Sequence, residues 1–156
     1  MKFRSAMSSI EDFGEGLRFQ KVIDETATDL VPDSQVRRLI LCSGQVYYDL
    51  EAERNKRGIK DIAIVRVEQI SPFPFRHVER SLKRYTNAEV MWTQEEPKNQ
   101  GMWSFVEPRI RNHLAKLNHK STAATFSGRV ISASTATGYG KTHAAELASM
   151  LDSSMA

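Results

Sequence analysis

The chain has a single cysteine, Cys42, so no disulfide can close within it, and four scattered histidines beside it offer no zinc-ligand spacing. No apolar run approaches the roughly 20 residues of a membrane-spanning helix, so no membrane partner is expected. Lys2 and Arg4 open the chain without the apolar stretch of a secretory leader behind them, and none is expected. An excess of one charge is also missing: 22 Lys and Arg stand against 19 Asp and Glu, a formal net of +3. With 40% of residues hydrophobic, the disordered class is excluded. The expectation left by these absences is one soluble domain with one core, in a reducing compartment.

What charge there is divides unevenly. Residues 1–35 carry four Lys/Arg and seven acids, and residues 36–156 carry eighteen and twelve. The basic residues are interleaved with acids, so no nucleic-acid partner is expected. The densest stretch holds Arg109, Arg111, Lys116, Lys120 and Arg129, with His113 and His119 between them. A solvated helix face is the favoured reading of it, and an anion patch is the alternative.

Four strand-then-helix units follow residue 35. Apolar runs at 39–42, 62–67, 88–93 and 129–133 read as strands. Helices are expected from 45 to 56, ended by Gly58, and from 77 to 85 with Val78 and Leu82 inward. A third, after Gly101, turns Phe105, Val106, Ile110 and Leu114 inward, and a fourth runs near 142–151. The alternation predicts an α/β domain with a mostly parallel sheet and helices on both faces. Residues 1–35 lack the pattern apart from a strand-like piece at 17–23, and read as a lead-in arm to the domain at 36–156.

The chemical motifs are incomplete. Gly138, Gly140, Lys141 and Thr142 resemble the end of a phosphate-binding loop, but the position five before Gly140 is Thr135 rather than glycine. A loop-to-helix junction is the preferred reading. Cys42, Ser43 and Gly44 end a strand without the dinucleotide fingerprint, and Cys42 reads as a small buried residue. Glu95 and Glu96 are adjacent in a strand and point to opposite faces, so they do not make an acid–base pair. No nucleophile elbow occurs. No catalytic residue and no metal ligand is assigned to the chain.

Four blocks, VRRLILCSGQVYYDL (36–50), IAIVRVEQISPFPF (62–75), WTQEEPKNQGMWSFVEPR (92–109) and ATGYGKTH (136–143), resemble the C-terminal domain of the 2-oxoglutarate dehydrogenase decarboxylating component. The stretch SSIEDFGEGLRFQKVID (8–24) resembles the segment preceding it. Gln45 departs from the family, which more often has lysine there. A relative preferring 2-oxoadipate shares these blocks. The resemblance implies a three-layer, transketolase C-terminal-like fold with a mixed, mostly parallel sheet. It implies a parent enzyme of the tricarboxylic acid cycle that uses thiamine diphosphate and Mg²⁺, both held by upstream domains and neither by this chain. The implied partners are those upstream domains, a homodimer partner subunit and the dihydrolipoyl succinyltransferase complex. The implied setting is the mitochondrial matrix in a eukaryote or the cytoplasm in a bacterium. Gln94, Glu95, Glu96, Asn99, Gln100 and Trp103 become candidates for subunit contacts. Trp92, Met102 and Phe105 serve either such contacts or the domain's own core. Because family members respond to nucleotides or acyl-coenzyme A, Lys2, Arg4 and Lys141 become effector candidates. The alternative function is a free-standing nucleotide or acyl-coenzyme A binding module, motivated by residues 138–142 and the basic stretch at 109–129.

Overall fold

A computed structural model describes residues 6–156. Strands form where aliphatic and β-branched residues run together. Arg38–Cys42 (β2) lies between Ile62–Val67 (β3) and Glu89–Pro97 (β4), parallel to both. Thr125–Arg129 (β5) extends the sheet parallel to β4, and Val22–Ile23 (β1) pairs antiparallel with β3. The order is β1-β3-β2-β4-β5. The α-helices among the described residues are Val46–Lys56 (α1), Phe75–Arg84 (α2), Trp103–Leu117 (α3) and Gly140–Met155 (α4).

Alternation within the apolar strands builds two cores. Ile40, Cys42, Ile62 and Ile64 pack with Val46 and Leu50 of α1 and Met150 and Met155 of α4. Leu39, Leu41, Ala63, Val65 and Trp92 face the other way, onto Val78 and Leu82 of α2 and Val106, Ile110 and Leu114 of α3. A sheet covered on both faces needs apolar residues at every position, which is why these strands read as unbroken runs. The result is the three-layer mixed α/β architecture expected from the alternation. Burial of each such side chain contributes about 1.5–3 kcal/mol.

The sheet is fastened by charge. Arg54 continues the inward stripe of Val46 and Leu50 and is buried. Its guanidinium donates to the Glu25 carboxylate at 2.5 Å and to the Ile62 carbonyl at 3.0 Å. Glu25 also accepts the Ile64 N–H at 2.6 Å. At the start of β2, where Arg38 stands opposite Ile62, Arg37 and Arg38 donate to the carbonyls of Met155, Ala156, Ser153 and Ser154, satisfying the last turn of α4.

Two sequence expectations are corrected. The last strand is 125–129, not 129–133: Val130 and Ile131 stand 77% and 71% exposed in the following loop. Ser127 and Gly128 take the sheet position because the Ser127 hydroxyl bonds the Met150 carbonyl at 3.0 Å and Gly128 lacks a Cβ that would meet the Gln94 carbonyl at 2.9 Å. In the piece at 17–23, Val22 and Ile23 enter the sheet, while Leu17 and Phe19 remain 58% and 70% exposed.

Candidate functional site

The chain leaves β2 toward β3 on one side and returns across it to β4 on the other. Where crossovers diverge in this way, the carboxyl ends of the central strands are the usual ligand and contact edge of such folds. The tract at 94–101 lies at that edge.

Gln94 organises the tract. Its Oε1 accepts the indole N–H of Trp92 at 3.0 Å and the backbone N–H groups of Met102 and Trp103 at 3.2 and 3.0 Å. The last two are otherwise free donors at the start of α3. Its Nε2 donates to the carbonyls of Gln100, Pro97 and Glu96 at 2.7, 3.1 and 3.3 Å. Gly101 has φ +63, and a Cβ there would sit 2.8 Å from Gln94 Nε2, so only glycine closes this turn without displacing the amide. Gln94 was expected among residues offered to a neighbouring subunit. It is instead 4% exposed, with its amide consumed inside the chain.

The next residues fasten a second loop. Asn99 donates to the Ser132 carbonyl at 2.9 Å and accepts the Ser132 N–H at 3.1 Å. Gln100 donates to the same carbonyl at 3.1 Å. Arg129 pairs with Glu146 of α4 at 2.6 Å and reaches the Thr135 carbonyl at 3.3 Å. Loop 130–139 is thus tied to β4 and α4, yet Val130, Ile131 and Tyr139 stay 77%, 71% and 80% exposed. Met102, just past the 94–101 tract, is itself 41% exposed.

Glu95 and Glu96 are exposed residues on the same edge, with the Glu95 carboxyl partly shielded by neighbouring chain. Partial burial, then the charges of Asp49 and Glu96, push the Glu95 carboxyl above its ordinary range, and His143 opposes them. Asp49, in the first turn of α1, is raised by burial with His143 again opposing. His143 of α4 thus acts on two carboxyls of this edge, Glu95 and Asp49.

The remaining candidates fall elsewhere. Trp92 is buried in the core, while Trp103 is half-buried against Phe126, ring centroids 5.2 Å apart. Phe105 is half-buried under the Arg109 guanidinium, 3.5 Å from the ring centroid. Lys141 is exposed in the first turn of α4, which begins at Gly140; Gly138 and Gly140 have open space around their Cβ positions, so neither is demanded by a tight cradle. Lys2 and Arg4 lie outside the described residues. The basic stretch is dispersed: Arg111 pairs with Glu107, Arg129 with Glu146, and His119 bonds the Tyr85 carbonyl at 3.0 Å. Cys42 is buried, and burial raises its thiol pKa far above the ordinary value. The buried Glu25–Arg54 pair escaped the sequence reading, although Arg54 on the apolar stripe of α1 was its visible sign.

The family described as 2-oxoglutarate dehydrogenase C-terminal matches residues 7–155. The 2-oxoglutarate dehydrogenase E1 component of Brucella anthropi is 38% identical over 162 aligned positions, covering 99% of this chain and 16% of that protein. The mitochondrial 2-oxoglutarate dehydrogenase of Caenorhabditis briggsae is 45% identical over 147 positions, covering 94% and 14%. The E1 component of Brucella ovis is 43% identical over 141 positions, covering 90% and 13%. The chain thus spans 13–16% of the length of these relatives. With nearly every residue inside the match, the chain belongs to the 2-oxoglutarate dehydrogenase C-terminal family.

Proposed function

We propose that this chain serves as the C-terminal, bracing domain of a thiamine-diphosphate-dependent E1 subunit. That subunit oxidatively decarboxylates 2-oxoglutarate and passes the succinyl group to lipoyl groups of the dihydrolipoyl succinyltransferase complex. The setting is the mitochondrial matrix in a eukaryote or the cytoplasm in a bacterium. The observation that carries the reading is the pairing of order with exposure at the carboxyl edge. Asn99, Gln100 and Arg129 fix loop 130–139, while Val130, Ile131 and Tyr139 point their apolar surface at solvent. Apolar groups held out in this way favour cover by another surface. In this reading the cover comes from upstream domains of the same enzyme and from the homodimer partner, with Glu95 and Glu96 supplying polar contacts around the apolar centre.

In this reading thiamine diphosphate and Mg²⁺ are held by the upstream domains. Among the described residues no three His, Cys, Asp or Glu side chains come together as metal ligands. At Gly138, before α4, and at Gly140, its first residue, nothing stands within 4 Å of where a Cβ would lie. No catalytic step is therefore assigned to this chain.

Two measurements test the reading. The purified chain, given thiamine diphosphate and Mg²⁺, is expected to show no 2-oxoglutarate decarboxylation, and robust turnover overturns the assignment. In a full-length E1 subunit carrying this domain, Val130→Asp with Ile131→Asp is expected to weaken dimerisation in sedimentation and lower turnover. Wild-type sedimentation and turnover in that variant would refute the bracing role.

A further inference from the structure

On the exposed side of the α2–α3 layer lies a groove of about 720 Å³. Arg76, Arg80 and Lys83 follow along α2 at spacings of four and three, so they share one helix face. Lys116 of α3 adds a fourth cation. The side chains of Arg80, Lys83 and Lys116 are 63%, 59% and 69% exposed. One carboxylate, Glu79, lines the groove with them and takes Lys83 at 2.7 Å and Lys116 at 3.5 Å. Counting Asp24, paired with Arg80 at the rim, the four cations stand against two carboxylates, a local excess of +2.

Beneath the cations lies an unsatisfied group. The His113 side chain is 9% exposed, and neither ring nitrogen has a hydrogen-bond partner. Its nearest carboxylate oxygen, on Glu79, is 3.7 Å away. A buried polar side chain without a partner is costly unless something else completes it. Phe75, 48% exposed, rests against the His113 ring with centroids 5.3 Å apart, placing one apolar surface among the charges.

We propose that this groove docks an extended, carboxylate-rich segment of a separate protein partner, with its acids on Arg76, Arg80, Lys83 and Lys116 and one apolar side chain on Phe75. Spacing supports an extended segment. Four helical residues rise about 6 Å, close to the about 6.8 Å between alternate residues of an extended strand. Acids at alternate positions therefore meet Arg76 and Arg80 in turn, and guanidinium groups take carboxylates in two-pronged contacts. Asp24 already seats a carboxylate on Arg80 at 2.7 Å at the groove's rim. The surface chemistry favours a partner that comes and goes. Permanent interfaces are apolar and poor in lysine, whereas cationic grooves speed encounter with acidic partners. This docking does not depend on the enzyme assignment above.

The test is fluorescence anisotropy of a fluorescein-labelled peptide of about nine residues, glutamate at alternate positions and leucine at the centre, titrated with the full chain. Binding is expected, weakening as salt rises from about 50 to about 300 mM. The variant Arg76→Glu/Lys116→Glu is expected to bind about tenfold or more weakly. A charge-matched control, Lys21→Glu/Lys120→Glu, changes exposed cations outside the groove and is expected to retain binding. Arg76→Gln/Lys116→Gln repeats the measurement if charge reversal disturbs folding by circular dichroism. Absence of binding by the unaltered chain overturns the proposal. Equal losses in groove and control variants overturn it too. Displacement by inorganic phosphate at the peptide's own concentration replaces it with a small-anion site.

Discussion

Single residues determine how this domain tolerates change. Arg54 and Glu25 each have side chains 1% exposed, so neither charge has water to fall back on. Arg54→Met leaves the Glu25 carboxylate buried without its partner, and breaking such a pair costs about 3–5 kcal/mol. Urea unfolding is expected to show that loss, with partial recovery in the double variant Glu25→Leu/Arg54→Met. At the carboxyl edge the direction reverses. The folded pKa of Glu95 lies above its unfolded value, chiefly through burial. Between those two values the native state binds more protons, so the associated stability is present below the ordinary carboxylate range and is lost as pH rises through the folded pKa. Glu95→Gln is therefore expected to melt higher than the unaltered chain at neutral pH, the gap closing as the solution is acidified toward the unfolded pKa. A constant gap across that range, followed by circular dichroism, would contradict the assigned shift. Neither residue's role was legible in the linear sequence. The stripe carrying Arg54 was visible, but its partner lies 29 positions away, and the neighbours of Glu95 come from three separate elements.

Elements were legible to the extent that their residues carry local information. The expected helices at 45–56 and 77–85 differ by a residue or two from α1 and α2, because apolar spacing, Gly58 and the residues after Pro74 mark them locally. The β-branched run at 62–67 is strand β3 without adjustment. The fourth strand failed for a matching reason: Val130 and Ile131 have high strand propensity, yet the sheet took Ser127 and Gly128, whose fit depends on Met150 and Gln94 far along the chain. Tertiary contact overrode propensity there. The junction of β4 with α3 shows the same dependence. Gln94 serves three N–H donors and three carbonyls, two of those donors belonging to the start of α3. Gln94→Leu keeps the side-chain bulk and removes all of these contacts, which the amide shares among its two donor hydrogens and two lone pairs. With buried unsatisfied groups costing about 1–3 kcal/mol each and some regaining water, a loss of about 2–4 kcal/mol is expected. Hydrogen exchange should quicken first at the amides of 100–105, and uniform quickening across the sheet would instead indicate a general loss of packing.

The whole molecule combines a sealed two-sided sheet with surfaces its own chain leaves uncovered. Residues 6–20 are exposed throughout, including Met7, Ile10 and Phe13, whereas Val22 is in the core and Glu25 holds Arg54. Removing residues 1–20 is expected to leave the melting temperature within a few degrees of the full chain. Removing residues 1–26 takes β1 and Glu25 away and is expected to lower it by about 10 °C. Equal melting temperatures for the two truncations would show that β1 and the buried ion pair contribute nothing. The layered α/β class, the apolar strands and the family were readable along the chain, because hydrophobic periodicity and contiguous blocks are properties of neighbouring residues. That Gln94 works inward, that Glu25 is a core anchor, and that α2 and α3 bring four cations around an unsatisfied His113 emerged from folding alone. Each of those depends on residues brought together from distant parts of the chain, where burial and charge act through space rather than along the backbone.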